Sequence, residues 1–271
     1  MERMPSLNQL YKYYNDDRLY PWTRTSLDGN LEVLDRVRLM VFEEILKRFP
    51  LENKVVLEVG CGSGVFTKAA VVHSKSVTGT DVAKKAIKEL ALENKDEKLK
   101  FITAAAENLP FKRNSFDAVL CFETLEHLKS PVAVLGEIYR VLKPRGRLYV
   151  SIPNWFAYDR LSTNNILKKV MFGIKQKIKS QNGMISSHLH FYSPAGWEKL
   201  FQHSGFQKIY SRPVFVWPFI PFKTLEKLIF KSSIILKFHQ KLETNLLSYW
   251  PFNDLGQSHF WVLEKAQQEA G

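Results

Sequence analysis

The sequence predicts an α/β fold in which a mostly parallel sheet carries helices on both faces. Between residues 55 and 152, apolar runs with strand character alternate with segments of helical periodicity, and this alternation is typical of a parallel sheet. A glycine-rich turn follows the first of these strands, as it does in nucleotide-binding folds. The length of 271 residues and the apolar fraction of 45% suit one large domain with a full core.

The predicted elements follow one another in a regular order. Apolar residues at helical spacing predict a first helix over 31–48. Strands are predicted at 55–59, 76–80, 99–103, 116–121 and 146–152, with helices at 65–72, 83–93 and 131–142. Ser193 and Pro194 are residue types that cap and open a helix. The segments 206–212 and 259–265 are the last two predicted strands.

The turn after the first strand carries the most informative motif. It reads Glu-Val-Gly-Cys-Gly-Ser-Gly from Glu58 to Gly64, so three glycines lead from a strand into a helix and let a ligand approach the backbone. The dinucleotide-binding motif G-x-G-x-x-G would need its third glycine at position 65. This chain has Val65 there, so the turn does not match that motif. The following strand ends in Asp81, where a carboxylate can accept hydrogen bonds from both hydroxyls of a ribose.

Three later segments extend this pattern. They are AAENLPF at 105–111, FDAVLCFETLEHL at 116–128, and VLKPRG followed by LYVSIPN at 141–154. Together with the glycine motif they resemble the class I S-adenosylmethionine-dependent methyltransferases, and within these the type 11 or ubiquinone/menaquinone-biosynthesis-like group. The resemblance implies a Rossmann-like, seven-stranded sheet whose last strand is antiparallel, and it implies S-adenosylmethionine as co-substrate.

The resemblance also implies a set of cofactor contacts. The chain departs from the family pattern at Ala105, where the family commonly has an acid that contacts adenine. Glu107 or backbone groups would then contact adenine instead. Arg36 or Arg38 on the first helix could pair with the methionyl carboxylate, and Arg38 is the one we include. The predicted cofactor-binding residues are Arg38, Glu58, Gly60, Cys61, Gly62, Gly64, Asp81, Val82, Ala106, Glu107, Phe122 and Glu123.

Methyl transfer from a sulfonium needs positioning more than acid–base chemistry, and a base is required only for an acceptor with a high pKa. His127 and His188 are the candidate catalytic residues: His127 is either a general base or a histidine that shapes its loop. His188 lies in a segment similar to one in family members that act on sugars and lipid-like substrates, and it contacts substrate or supports the fold. Glu123 could contact the cofactor or a substrate amine. We expect no metal site, because no ligand cluster has metal-binding spacing.

Two insertions divide the predicted domain. We expect an N-terminal arm and helix at 1–50, whose aromatic cluster from Tyr11 to Trp22 forms a lid or a plain arm. The cofactor-binding half spans 51–154. The remaining segments are a basic insertion at 155–190, completion of the sheet at 191–212 and 258–266, and a basic aromatic cap at 213–257.

The net charge of +12 is concentrated in the part of the chain that contains these insertions. Residues 160–241 contain fourteen Lys and Arg against two acids, and the rest of the chain is balanced. Such asymmetry indicates an anionic partner. Three interpretations of the basic segment remain open: it binds a membrane surface, it binds a nucleic acid, or it forms a solvated cap or dimer surface. Its aliphatic content disfavours nucleic acid.

The acceptor is expected to be small or lipid-linked. Two cysteines, no visible signal peptide and no long apolar run predict a cytoplasmic protein, peripheral to a membrane at most.

Overall fold

The computed structural model describes residues 33–154, 189–190, 192–214 and 258–266, with the side chains of the first helix from Val37 onward. The helices are α1 (Val33–Arg48), α2 (Val65–Val72), α3 (Lys84–Glu93), α4 (Pro131–Val141) and α5 (Pro194–His203). The strands are β1 (Val55–Val59), β2 (Ser76–Asp81), β3 (Leu99–Thr103), β4 (Phe116–Phe122), β5 (Leu142–Pro153), β6 (Phe206–Val214) and β7 (Ser258–Lys265). A short 3-10 turn, Leu125–His127, follows β4.

The described strands form one seven-stranded sheet with the order β3-β2-β1-β4-β5-β7-β6. The pairs from β3 to β5 are parallel, and β7 runs antiparallel between β5 and β6. This is the predicted Rossmann-like arrangement with its last strand antiparallel. The chain builds outward from β1 through β2 to β3 and then crosses to β4 on the other side of β1. The strand order therefore reverses at the β1–β4 crevice, where open α/β sheets bind their ligands.

Two apolar layers cover the sheet. Helices α1 and α2 pack on one face through Phe42, Phe66 and neighbouring aliphatic residues. Helices α4 and α5 pack on the other through Leu135, Trp197 and Phe201. The predicted cap of α5 is confirmed, because the Ser193 hydroxyl accepts a hydrogen bond from the Gly196 N–H at 3.2 Å.

Element boundaries differ from the predicted ones mainly at β5. This strand begins at Leu142 rather than at residue 146, because Leu142 pairs with Phe116 before the register shifts to Ala118 and Arg147. The residues of β5 between Leu142 and Arg147 form a bulge, whereas the sequence predicts that β5 begins only at residue 146. A Cβ on Gly146 would lie 2.8 Å from the Lys143 carbonyl oxygen, so the bulge requires glycine. Smaller differences are the extension of β2 to Asp81, of β6 to Val214 and of β7 to Ser258.

Both insertions leave from the carboxyl edge of the parallel strands. Ser258, which follows the second insertion, pairs with Pro153 at the end of β5 and with Val214 at the end of β6. The points at which 155–188 and 215–257 join the described fold are therefore adjacent, at the edge that also carries the glycine turn. The insertions themselves, His188 and the Tyr11–Trp22 cluster lie outside the described residues.

Candidate functional site

The glycine turn between β1 and α2 has the backbone that its sequence requires. Gly60, Gly62 and Gly64 have φ values of 75°, 50° and 74°, a region that residues with a Cβ rarely adopt. The N–H groups of Gly60 and Cys61 both donate to the Thr80 carbonyl, at 2.8 and 2.9 Å. A Cβ on Gly60 would lie 2.4 Å from the side chain of Thr124. The turn is thus held between the ends of β2 and β4.

Asp81 at the end of β2 braces the same turn. Its Oδ2 accepts the Gly62 N–H at 2.9 Å, and its Oδ1 accepts the Ala83 N–H at 2.9 Å. Burial raises the pKa of the carboxyl, and these backbone donors oppose that rise. A carboxylate has about four acceptor positions, so each oxygen retains capacity for a ribose hydroxyl. Val82, the next predicted contact, is half-buried beside it.

Glu58 lies beneath the turn rather than at its surface. It is 2% exposed and accepts a short hydrogen bond from the hydroxyl of Thr67 on α2. Burial raises its pKa from 4.5 to about 8, so Glu58 holds a proton over much of the neutral range. Burial also raises the pKa of the Cys61 thiol well above its ordinary value, with Asp81 and Glu58 adding to the shift. Cys61 is therefore a thiol that fills space in the turn.

The loop after β3 is fixed to the turn and to α4. The Ala104 N–H donates to the Asp81 carbonyl at 3.0 Å, which brings the loop beside β2. The Arg140 guanidinium donates to the carbonyls of Phe111 and Leu109 at 2.7 and 3.0 Å. Within this loop Ala106 is buried, while Ala105 and Glu107 are half-buried.

Arg38 and Glu123 form an ion pair at the carboxyl edge, on the α1 face of the sheet. Arg38 also donates to the Ser258 hydroxyl at 3.2 Å, and the Ser151 hydroxyl donates to Glu123 at 2.9 Å. Glu123 has a φ of 48°, which turns the chain sharply after β4. The predicted residues Arg38 and Glu123 are therefore brought together, and they contact each other. The side chain of Arg36 lies outside the described residues.

Phe122 precedes this pair but faces the core. Its ring centroid lies 4.7 Å from that of Phe66 and 5.3 Å from that of Phe42. The ring therefore fastens β4 to α1 and α2, and the Phe122 backbone is the part available at the crevice.

The 3-10 turn after β4 carries His127 and a fully buried acid, Glu126. The two side chains approach to 3.5 Å between His127 Nε2 and Glu126 Oε1, and neither carboxyl oxygen of Glu126 has a hydrogen-bond partner in the part of the chain that the structure describes. Burial raises the pKa of Glu126 well above its ordinary value, with nearby Glu123 adding to the rise. His188 is not described, but Leu189 donates its N–H to the Glu126 carbonyl at 2.7 Å. The segment that carries His188 therefore reaches the turn that carries His127.

Several functional contacts come from residues that the sequence did not single out. Thr67 holds Glu58, Thr124 abuts Gly60, Ser151 and Ser258 flank the ion pair, and Glu126 lies beneath His127. Small hydroxyl residues give no periodic signal, and their roles follow only from the register that brings strand ends together. Glu126 lies in the segment 116–128 that carries the family resemblance. Its burial could have been predicted from the apolar residues beside it, Leu125 and Leu128.

The described residues include no group of three or more His, Cys, Asp and Glu side chains placed to hold a metal ion. Within the same ranges, no helix combines the length and apolar character needed to span a membrane. The site built by the described residues is thus a glycine turn with an acid beside it, an ion pair, and a histidine-bearing turn.

The described sheet has the Rossmann-like order of the class I methyltransferases, and the glycine turn and Asp81 lie at its carboxyl edge. Residues 57–150 match the family model described as a methyltransferase domain, which confirms the resemblance to class I S-adenosylmethionine-dependent methyltransferases. The match spans the glycine turn, Asp81, the loop after β3 and the 3-10 turn. S-adenosylmethionine is the co-substrate of this class.

Curated relatives match about half of the chain. A ubiquinone biosynthesis O-methyltransferase from Xylella fastidiosa is 37% identical over 127 residues, which are 46% of this chain and 50% of the relative. Another from Pseudomonas putida is 32% identical over 139 residues, 49% of this chain and 57% of the relative. The chain thus matches about half the length of these curated relatives.

Solved structures agree over a larger part of the fold. The structure of a putative methyltransferase in complex with the Trm112 activator from Haloferax volcanii has a TM-score of 0.59 at 17% identity, covering 88% of this chain and 93% of that one. A putative methyltransferase from Bacillus halodurans has a TM-score of 0.56 at 18% identity, covering 84% and 99%. At these identities the likeness confirms the predicted fold.

Proposed function

We propose that this protein transfers the methyl group of S-adenosylmethionine to a small-molecule or lipid-linked acceptor. The observation that carries the proposal is the glycine turn braced by Asp81, inside the segment that matches the methyltransferase domain model. The turn supplies close backbone approach, and the Asp81 carboxylate supplies acceptors for the ribose. We propose that Arg38 binds the methionyl carboxylate by exchanging Glu123 for the ligand.

Positioning would supply most of the catalysis. Alignment of the methyl carbon with the acceptor atom accounts for about 7–11 kcal/mol of the barrier in well-oriented reactions. We favour an oxygen atom as the nucleophile, because the curated relatives are named O-methyltransferases. A hydroxyl acceptor requires a proton acceptor, and we propose His127, in the 3-10 turn after β4, for that role. A structural role for His127 is the alternative.

The acceptor class is tested by following the methyl group. S-adenosylmethionine labelled in the methyl group is incubated with the protein and an extract of the source cells, and the products are separated into lipid, small-molecule, nucleic-acid and protein fractions. We expect label in the lipid or small-molecule fraction. Label in nucleic acid would instead support a nucleic-acid methyltransferase. Cofactor binding without any transfer would support a non-catalytic S-adenosylmethionine-binding module.

The basic insertions suggest where the acceptor is met. We propose that residues 160–241 attach a cytoplasmic protein to an anionic membrane surface. The support is the concentration of charge in this segment and the aromatic and aliphatic residues between its lysines, which suit an interfacial anchor. The two insertions join the fold next to the candidate site, so a lipid-linked acceptor would enter without crossing bulk water.

Vesicle sedimentation tests the membrane proposal. Each lysine near an anionic surface contributes about 1 kcal/mol, and salt weakens the attraction. The protein should sediment with anionic vesicles at low salt, and replacement of Lys223, Lys227, Lys231 and Lys237 by Glu should release it. A matched variant that replaces the exposed Lys84, Lys88, Lys95 and Lys98 by Glu has the same charge change and should still sediment. Equal release by both variants would leave a cap or dimer surface as the better account of the insertions.

A further inference from the structure

His259 stands beside the candidate site, at the second position of β7. Its register neighbours are Ile152 near the end of β5 and Pro213 near the end of β6. The preceding residue, Ser258, accepts a hydrogen bond from Arg38. His259 is therefore one residue from the polar cluster at the carboxyl edge, where open α/β sheets bind ligands.

The imidazole lies on the opposite face of the sheet from that cluster. Side chains alternate along a strand, and Ser258 points toward Arg38 on the α1 face. His259 shares its face with Trp261, which belongs to the apolar cluster under α4 and α5. The 3-10 turn that carries His127 begins with Leu125, which belongs to the same cluster. His259 thus lies on the side of the sheet that also carries the candidate base.

His259 is 6% exposed, and among the described residues neither ring nitrogen has a hydrogen-bond partner. Three other described histidines have one: His73 contacts Glu43, and His190 and His203 contact backbone carbonyls. A fourth, His127, lies 3.5 Å from the Glu126 carboxyl. A buried polar group without a partner lowers stability, and such groups in folded proteins call for an explanation. A ligand group that completes the hydrogen bonding is one such explanation.

The ring is held in place by its neighbours. It stacks on Trp261 with centroids 4.4 Å apart and planes at 30°. The Trp261 indole N–H donates to Glu198 at 3.0 Å, and Lys208 donates to the same carboxylate at 2.6 Å. Glu198 and Lys208, the charged groups near the ring, are therefore paired with each other. Burial lowers the pKa of His259 to about 4, so the ring is neutral and offers one N–H donor and one acceptor nitrogen.

We propose that His259 is a specificity-determining residue of the acceptor pocket and hydrogen-bonds an uncharged hydroxyl or carbonyl group of the acceptor. A neutral imidazole suits such a group, since a hydroxyl can both donate and accept. Its stacking on Trp261 would hold the bond in a fixed direction. This inference rests on the proposed methyl transfer, and it adds a contact on the α4–α5 face of the site.

The test uses His259→Phe, which keeps a flat ring and removes both nitrogens, and His259→Gln, which restores a donor and an acceptor. Transfer from methyl-labelled S-adenosylmethionine is measured against increasing amounts of the active extract fraction. We expect His259→Phe to raise the half-saturating amount about three- to tenfold, the range for one lost neutral hydrogen bond. The maximal rate should change less, and His259→Gln should recover part of the loss. The exposed-site variant His203→Phe is the control and should match wild type.

Two further measurements separate the outcomes. S-adenosylhomocysteine affinity, by calorimetry, should be the same in wild type, His259→Phe and His259→Gln. The folding stability of His259→Phe without ligand should equal or exceed that of wild type, because no protein partner is lost. An unchanged half-saturating amount in His259→Phe would overturn the inference while leaving the proposed function intact. A less stable His259→Phe with proportional loss of cofactor affinity would make His259 structural. Failure of wild type to bind S-adenosylhomocysteine would overturn the proposed function and, with it, this inference.

Discussion

The two halves of the carboxyl edge differ in how completely their polar groups are paired. At the ends of β1 and β2, Asp81 and the glycine N–H groups are paired with one another and with adjacent backbone, and Glu58 accepts from the Thr67 hydroxyl. At the ends of β4 and β7, Glu126 and His259 are buried without hydrogen-bond partners among the described residues. The first half is therefore prebuilt. The second half, which we propose as the acceptor half, keeps buried polar groups without such partners.

The largest expected effect breaks the prebuilt half. Gly60→Ala places a Cβ 2.4 Å from the Thr124 side chain at a φ of 75°, and the left-handed backbone alone costs roughly 1–2 kcal/mol with a Cβ. We expect S-adenosylhomocysteine binding to become undetectable by calorimetry. Gly136→Ala is the control, because nothing lies within 4 Å of its added Cβ. That variant should bind normally and gain up to about 1 kcal/mol of stability from helix propensity. Normal binding by Gly60→Ala would show that the turn does not need its observed backbone.

The next effect concerns the ion pair between Arg38 and Glu123 at the end of β4. Arg38→Met removes the proposed partner of the methionyl carboxylate, and hydrogen bonds to charged groups contribute about 1.5–3 kcal/mol. We expect S-adenosylhomocysteine affinity to fall roughly 10–100-fold.

Glu123→Gln is the matched variant, because it keeps the side-chain shape and frees Arg38 from a competing charge. Its affinity for S-adenosylhomocysteine should equal or exceed that of wild type. If Glu123→Gln instead weakens binding as much as Arg38→Met does, the pair acts as one structural unit and Arg38 does not exchange partners.

A smaller effect appears as a pH dependence of stability. The folded protein keeps the Glu58 proton up to a pH of about 8, whereas the unfolded chain releases it near 4.5. Folding therefore takes up a proton between these values, and stability falls as pH rises through this window, by at most ~1.4 kcal/mol per pH unit for one group. Above pH 8 the contribution of Glu58 is constant.

Glu58→Gln should remove this slope, so its stability relative to wild type should improve steadily from pH 5 to pH 8 in chemical denaturation. The exposed-site variant Glu97→Gln should run parallel to wild type. A constant difference between Glu58→Gln and wild type across the window would mean that Glu58 is ionised in the fold.

The same contrast explains what could be predicted from the sequence. The glycine turn and Asp81 were found because local backbone chemistry demands those residues at fixed spacing, and the parallel sheet followed from the βα alternation. Phe122 shows a limit: its position in the motif was found, but the direction of its ring depends on how α1 and α2 pack.

The acceptor half was harder to predict, because its residues meet through long-range register. Ser258 and Arg38 are separated by 220 positions, and nothing in the local sequence of β7 marks His259 as a buried residue without a partner. The bulge in β5 was not predicted, for a similar reason. It is defined by the register of β5 against β4, and the local sequence of β5 gives no sign of that register.

The central claim is that the cradle at β1 and β2 binds S-adenosylmethionine, and calorimetry with S-adenosylhomocysteine and NAD tests it most directly. Wild type should bind S-adenosylhomocysteine and prefer it to NAD. Asp81→Ala removes the acceptor of the ribose hydroxyls and should lose about 1–3 kcal/mol of binding free energy, while the exposed-acid control Glu97→Ala should lose none. Tighter binding of NAD, or unchanged S-adenosylhomocysteine affinity in Asp81→Ala, would contradict the claim.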